Sequence, residues 1–148
     1  MRAILINPTE KAITEVDYDG SLESIKSYID APLFDAVRLN EAGDVMFVDD
    51  EGLYHAKDFF RVEGLEHPIA GKALVLGTDY EGNSVEPMLE SVEALEDKVF
   101  FIDVEEAITM ADALDIKAEE MKKKYGESFI YISVADILKD REYTDPSE

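Results

Sequence analysis

Ile4, Ile6, Ile13 and Val16 recur on either side of the turn-forming stretch NPTE, and this alternation predicts an N-terminal hairpin of two short strands. The period then lengthens. Leu22, Ile25 and Ile29 follow Ser21 at helical spacing and stop before Pro32, as a short amphipathic helix with a serine N-cap would. FDAVRLN and VMFVD read as two further strands joined by the glycine-containing turn EAGD. Within MFVDDEGLYH, Asp49 and Gly52 have the spacing of the first and last residues of a type I turn. Residues 56–62, AKDFFRV, predict one helical turn, KALVLGT a strand, and DYEGNS the turn that closes it.

Beyond Val85 the pattern becomes helical. In EPMLESVEALEDK, Leu89, Val92 and Leu95 recur every three residues, while Glu86, Glu90, Glu93 and Asp97 follow at intervals of 4, 3 and 4. A helix here would carry the four acids on one face and the apolar residues on another. VFFI predicts a strand. Asp103 and Glu106 have capping-box spacing before a long helix, with Ala107, Ile108, Ala111, Leu114, Ala118 and Met121 as its buried stripe. Lys122, Lys123 and Lys124 suit its C-terminal dipole, and Gly126 ends it. SFIYI predicts a last strand, Ser133 and Asp136 cap a final helix over VADILKD, and REYTDPSE reads as a frayed tail.

These elements predict an α+β fold, a small mixed or antiparallel sheet with helices packed on one face. At 148 residues, with no internal repeat and no linker rich in Pro, Gly or Ser, residues 1–148 form one domain by this reading. Hydrophobic residues at 46% supply enough apolar surface to fold despite 33% charged residues. The absence of cysteine excludes disulfides, thiolate metal sites and cysteine nucleophiles. No apolar run reaches membrane length, and MRAILINPTEK turns polar too early for a signal peptide, so the expected location is the cytoplasm.

Charge changes the picture most. Thirty-five acids against fourteen bases give a formal charge of -21, which disfavours contact with nucleic acid or an anionic membrane and points to basic partners. Residues 75–148 carry twenty acids and seven bases, so the excess leans to the C-terminal half. The row Glu86, Glu90, Glu93 and Asp97 would span about 16 Å along a helix, and Glu105, Asp112 and Glu119 would form a second row at every seventh residue of the longer helix. Such rows can imitate the phosphates of a nucleic acid. They are equally what a solvated helix shows opposite its apolar stripe.

Recognisable reaction chemistry is sparse. His55 and His67 are the only histidines and lie twelve residues apart, so there is no HExxH zinc helix, and phosphate loops, dinucleotide fingerprints and nucleophile elbows are also missing. No glycine in an acidic turn aligns with the ligand positions of an EF-hand calcium loop. The expectation is therefore no catalytic residues, no metal ligands and no cofactor. One cluster of donors, His55, Lys57 and Arg61 beside Tyr54, Phe59 and Phe60, suggests a ligand pocket as the alternative to simple core packing.

The stretches MRAILINP, ITEVDYDG, VRLNEAGDVMFVDDEGL and HPIAGKALVLGTDYEGNSVEP occur in the order found in the domain of unknown function family numbered 3846, which the chain resembles over residues 1–87. That resemblance implies a bacterial setting, often a phage or mobile element, and brings no catalytic residue, cofactor or substrate. Residues 88–148 stand outside it as an acidic helical extension with a further strand. Together these readings predict a non-enzymatic interaction protein that binds a basic host protein by imitating nucleic acid; the alternative is a module binding a small or nucleotide-like molecule.

Overall fold

The computed structural model describes residues 1–126 and 131–144. Strands β1 (Arg2–Asn7) and β2 (Ala12–Asp17) form the N-terminal hairpin, in register from Arg2 opposite Asp17 to Asn7 opposite Ala12. Helix α1 (Leu22–Ile29) starts where Ser21 accepts a hydrogen bond from Ser24 N, and ends at Asp30, a left-handed residue whose N–H reaches the carbonyls of Lys26 and Ser27. Strands β3 (Phe34–Arg38) and β4 (Val45–Asp49) make the second hairpin.

The next segment departs from the sequence pattern. The helical turn falls at α2 (Gly52–His55), and Phe59–Val62, expected within such a turn, is strand β5. Both halves of this correction have a local cause. Phe59 faces one side of its sheet while Phe60 and Val62 face the other, and all three are buried, which a strand between two packed layers permits and a single exposed turn does not. At Gly52 an added Cβ would stand 2.9 Å from the Ala70 carbonyl oxygen, so close packing selects glycine there.

Strands β6 (Ile69–Ala70), β7 (Ala73–Thr78) and β8 (Ser84–Val85) follow, then helix α3 (Val92–Glu96), strand β9 (Val99–Ile102) and helices α4 (Val104–Tyr125) and α5 (Val134–Thr144). One sheet runs β2-β1-β7-β4-β3, with β8 paired to β7; the other runs β6-β5-β9. Every pairing is antiparallel, and the class is α+β.

Alternation along the strands builds the layers. Ile4, Ile6, Met46, Val48, Ala73 and Val75 face Phe60, Val62 and Ile69 of the second sheet, with Leu95 of α3 and Val99 closing the same core. Ala3, Leu74 and Leu76 point the opposite way and pack on Ile25 and Ile29 of α1. The outer face of the second sheet, through Phe59, Ala70 and Ile102, packs on Ala107 of α4 and Leu138 of α5. Strand β7 is thus covered on both faces, which is why it reads as an unbroken apolar run. Burying Ile25 and Ile29 alone contributes roughly 2 kcal/mol each to docking α1.

Asp103 caps α4 by accepting from Glu106 N at 2.8 Å, as its spacing predicts. Ala107, Ala111, Leu114 and Ala118 are buried along this helix; Ile108 is half-buried and Met121 exposed. The Ser133 hydroxyl caps α5 through Asp136 N at 3.1 Å, but the helix runs through Arg141 to Thr144, so the first half of the expected frayed tail is helical. Arg141 accounts for that extension, donating to the carbonyls of Leu53 (3.0 Å) and Ala56. The strand expected over SFIYI lies partly outside the described residues, and its last two residues, Tyr131 and Ile132, are in irregular backbone. No helix among the described residues is long and apolar enough to cross a membrane.

Residues 86–91 form an irregular strap, with a bend at Met88, in place of the expected first turns of a helix. Asp44, fully buried, accepts from Met88 N at 2.7 Å, Leu89 N at 3.1 Å and the Asn40 amide at 3.0 Å. The Arg2 guanidinium donates to the carbonyls of Pro87 (3.1 Å) and Leu89 (2.6 Å). Backbone groups that a helix would have used are taken by tertiary partners, so α3 begins only after Ser91. Replacing Asp44 with alanine leaves two strap N–H groups without acceptors in a buried place, and denaturant unfolding of Asp44→Ala is expected to show a loss of about 3 kcal/mol. A change below about 0.5 kcal/mol would show that the strap is held by other means.

Candidate functional site

Strand β4 ends at Asp49, whose side chain is only 7% exposed. Its Oδ1 accepts from Glu51 N at 2.9 Å, an Asx turn that leads directly into α2, and its Oδ2 receives His55 Nε2 at 2.8 Å. The carboxylate run at 49–51 is therefore a strand terminus in which one acid turns inward. His55, 60% exposed, stands at the rim of a cleft of about 240 Å³ that Thr9, Asp30, Asp58, Lys57 and Lys72 also line. Lys72 pairs with Asp30 at the end of α1, and the Thr9 hydroxyl donates to Asp58 at 3.0 Å. The cleft thus joins the β1–β2 turn, the end of α1 and the start of β7 around a histidine oriented by a buried carboxylate.

Arg61 belongs elsewhere. It stacks on Phe100, 4.1 Å from guanidinium carbon to ring centroid, across the β5–β9 pair. The strand at 59–62 causes the separation: had those residues been a helical turn, Arg61 would have followed His55 and Lys57 around one surface. Of the three donors proposed from sequence, two share the cleft and one does not. Thr9, Asp30, Asp49, Asp58 and Lys72 are polar cleft residues that the sequence reading does not assign to it. Thr9, Asp30 and Lys72 come from distant segments, and Asp49, six residues from His55, is one acid in a run of three until the fold turns it inward.

The acidic rows fare differently from one another. Glu86, Glu90, Glu93 and Asp97 do not share a helical face, because α3 spans only five residues. Glu86 accepts from Arg2 N at 2.9 Å, Glu90 belongs to the strap, and Asp97 is the C-cap of α3. All four remain exposed. Glu105, Asp112 and Glu119 do lie exposed along α4, but Lys139 of α5 reaches Asp112 at 2.8 Å and interrupts the row. That hydrogen bond, donated by Lys139 to the Asp112 carboxylate, is the main reason the ammonium titrates above its ordinary range. Nearby, a hollow of about 270 Å³ between α4 and the start of α5 is lined by Asp115, Glu119, Lys122, Tyr131 and Ser133. Burial first, then the Asp115 carboxylate, pushes the Tyr131 hydroxyl up to about 12. Among the described residues no group of three or more His, Asp or Glu is placed to hold a metal ion.

Residues 1–99 match the family described as Domain of unknown function (DUF3846). The chain belongs to this family. The matched span runs twelve residues beyond Pro87, where the sequence resemblance ends, and so takes in the strap and α3 with both hairpins and β7. Helices α4 and α5 lie outside it. Comparison with curated proteins gave no match, and comparison with solved structures gave none. Among the cleft residues, Thr9, Asp30, Asp49, His55, Lys57, Asp58 and Lys72 all fall inside the family span.

Removing the imidazole tests what holds the cleft. His55→Ala leaves Asp49 Oδ2 without its partner in a nearly closed site, and the expected cost in chemical denaturation is about 1–2 kcal/mol. Arg61→Ala, which leaves the cleft residues untouched, serves as the comparison. Equal unfolding midpoints for wild type and His55→Ala would show that water replaces the imidazole at no cost.

Proposed function

We propose that this protein is a non-enzymatic interaction module whose acidic surface engages a basic protein of the host, as suits a family member carried by a phage or mobile element. The observation that carries this reading is where the charge resides. Of the charged residues described, Asp44 is fully buried and Asp49 turns its carboxylate inward, so most of a formal charge of -21 is directed at solvent. A surface of that sign repels nucleic acid and anionic lipid, and it accelerates encounters with cationic surfaces. Imitation of a regular phosphate row draws less support than the charge itself, since one predicted row is broken by the strap and the other by Lys139.

A second reading rests on the cleft. His55, oriented by Asp49, together with Lys57 and Lys72, lines a concave site of a size that admits a small anionic molecule. Its paired acids, Asp30, Asp49 and Asp58, make it less cationic than a dedicated phosphate site, which places this reading second.

The first reading is tested with the protein immobilised on a neutral resin and exposed to a bacterial lysate at about 50 mM and about 500 mM salt, beside a polyglutamate resin of equal charge. The expected outcome is a basic protein retained at low salt, released at high salt and absent from the polyglutamate control. Retention of no basic protein, or of the same set on both resins, overturns it.

A further inference from the structure

Among the described residues, strand β3 pairs with β4 on one side and with no strand on the other. The far edge of the same sheet, β2, has α3 against it, and the edges of the second sheet are short, β6 with two residues and β9 with four. The five residues Phe34–Arg38 are thus an open edge of the first sheet in the described fold.

The backbone groups on that edge can be assigned. Leu39 N donates to Asp44 O at 2.9 Å and Asp50 N to Leu33 O at 3.2 Å, which fixes the hydrogen-bonded pairs of the hairpin at residues 33, 35, 37 and 39 of the β3 side. Phe34, Ala36 and Arg38 therefore direct their N–H and C=O groups away from β4. The central donor among them is occupied: the Ala36 N–H donates to Asp35 Oδ1 at 2.9 Å. A side-chain carboxylate stands where the carbonyl of an added strand would be.

We propose that this edge takes up an extended basic segment of a partner as an added antiparallel strand, with Asp35 as the residue that selects for a cation. The proposal rests on the acidic-surface reading and gives it a place and a geometry. A neutral strand meets a carboxylate seated on the donor it needs. A strand with lysine or arginine opposite Asp35 draws that carboxylate toward the cation and frees the Ala36 N–H, so recognition of charge and formation of the ladder are coupled. Charge around the edge has the matching sign. Asp35, Asp50 and Glu51 are side chains of this hairpin and its exit, and its one base, Arg38, is already paired with Glu41 at 3.1 Å. The exposed side chain at the centre, Ala36, is small enough to let a second backbone approach.

The test uses the full chain and a synthetic peptide of alternating lysine and valine, with three comparators: a serine–valine peptide, the lysine peptide with alternate amides N-methylated along one edge, and the variant Ala36→Pro. Proline is tolerated on an edge where the lost N–H points away from the sheet, and the Ala36 N–H gives its hydrogen bond to Asp35 and not to β4, so the β4 ladder is unaffected. The expected results are slowed amide exchange at Phe34, Ala36 and Arg38, at least tenfold weaker binding for Ala36→Pro and for the N-methylated peptide, and a lysine-over-serine preference that falls severalfold in Asp35→Asn. Equal binding of the methylated and unmethylated peptides, with no protection at those three amides, overturns the edge proposal and leaves the acidic-surface reading standing. Failure of the lysine peptide to bind at about 50 mM salt overturns both.

Discussion

A fully buried carboxylate has to be surrounded by donors, and Asp44 obtains two of its three from the backbone of a segment more than forty residues away. That requirement organises the middle of the molecule. Because Met88 and Leu89 give their N–H groups to Asp44, and Pro87 and Leu89 give their carbonyls to Arg2, residues 86–91 are held as an irregular strap and not as helix. Leu89, Val92 and Leu95 are thereby set against the core between the two sheets. Asn40 completes the arrangement by donating to Asp44 and accepting its N–H, so the EAGD turn and the strap are fixed by the same side chain.

The Asp44 clasp also explains why so acidic a chain folds as it does. Self-repulsion among surface carboxylates opposes compaction. Against it stand three apolar layers: α1 on the first sheet, the first sheet on the second, and α4 with α5 on the outside of the second. Only one carboxylate is drawn fully inside, and it is met by backbone N–H groups and an amide, which gain strength in a low-dielectric place. The rest of the charge remains at the surface, where it shapes encounters with other molecules at little cost to packing.

Legibility in the sequence followed the range of the interactions concerned. The two hairpins, α1 with its Ser21 cap, β7, β9 and the Asp103 cap of α4 depend on neighbours within a few residues, and alternation or capping spacing exposes them. The strap did not show, because EPMLESVEALE has good helical periodicity and only Asp44 and Arg2, both remote, override it. Phe59–Val62 was misread for a related reason: two adjacent aromatic residues fit a helical turn locally, and burial on both faces of a strand is a property of the layers. The cleft was half legible. His55 and Lys57 stood out as local donors, whereas Asp49 looked like one acid in a run of three until the fold turned it inward. Arg61 was drawn away by the change of β5 from turn to strand.

Charge and edge geometry answer different questions about recognition. A long-range field of one sign brings many cationic molecules close, and it falls off within about 8 Å at physiological salt, so it discriminates poorly among them. A hydrogen-bonding edge does the reverse, since it accepts any extended backbone but only in one register and at contact distance. Ordinary proteins blunt such an edge with a charge, and Asp35 on the Ala36 N–H is a charge in the blunting position. In a chain of average composition that would be the whole of its role. Here the surrounding carboxylates leave the edge strongly negative, so the barrier is high for neutral or acidic strands and is relieved by a cation placed opposite Asp35. The residue that protects the monomer from indiscriminate pairing is therefore the same one that would admit a basic partner.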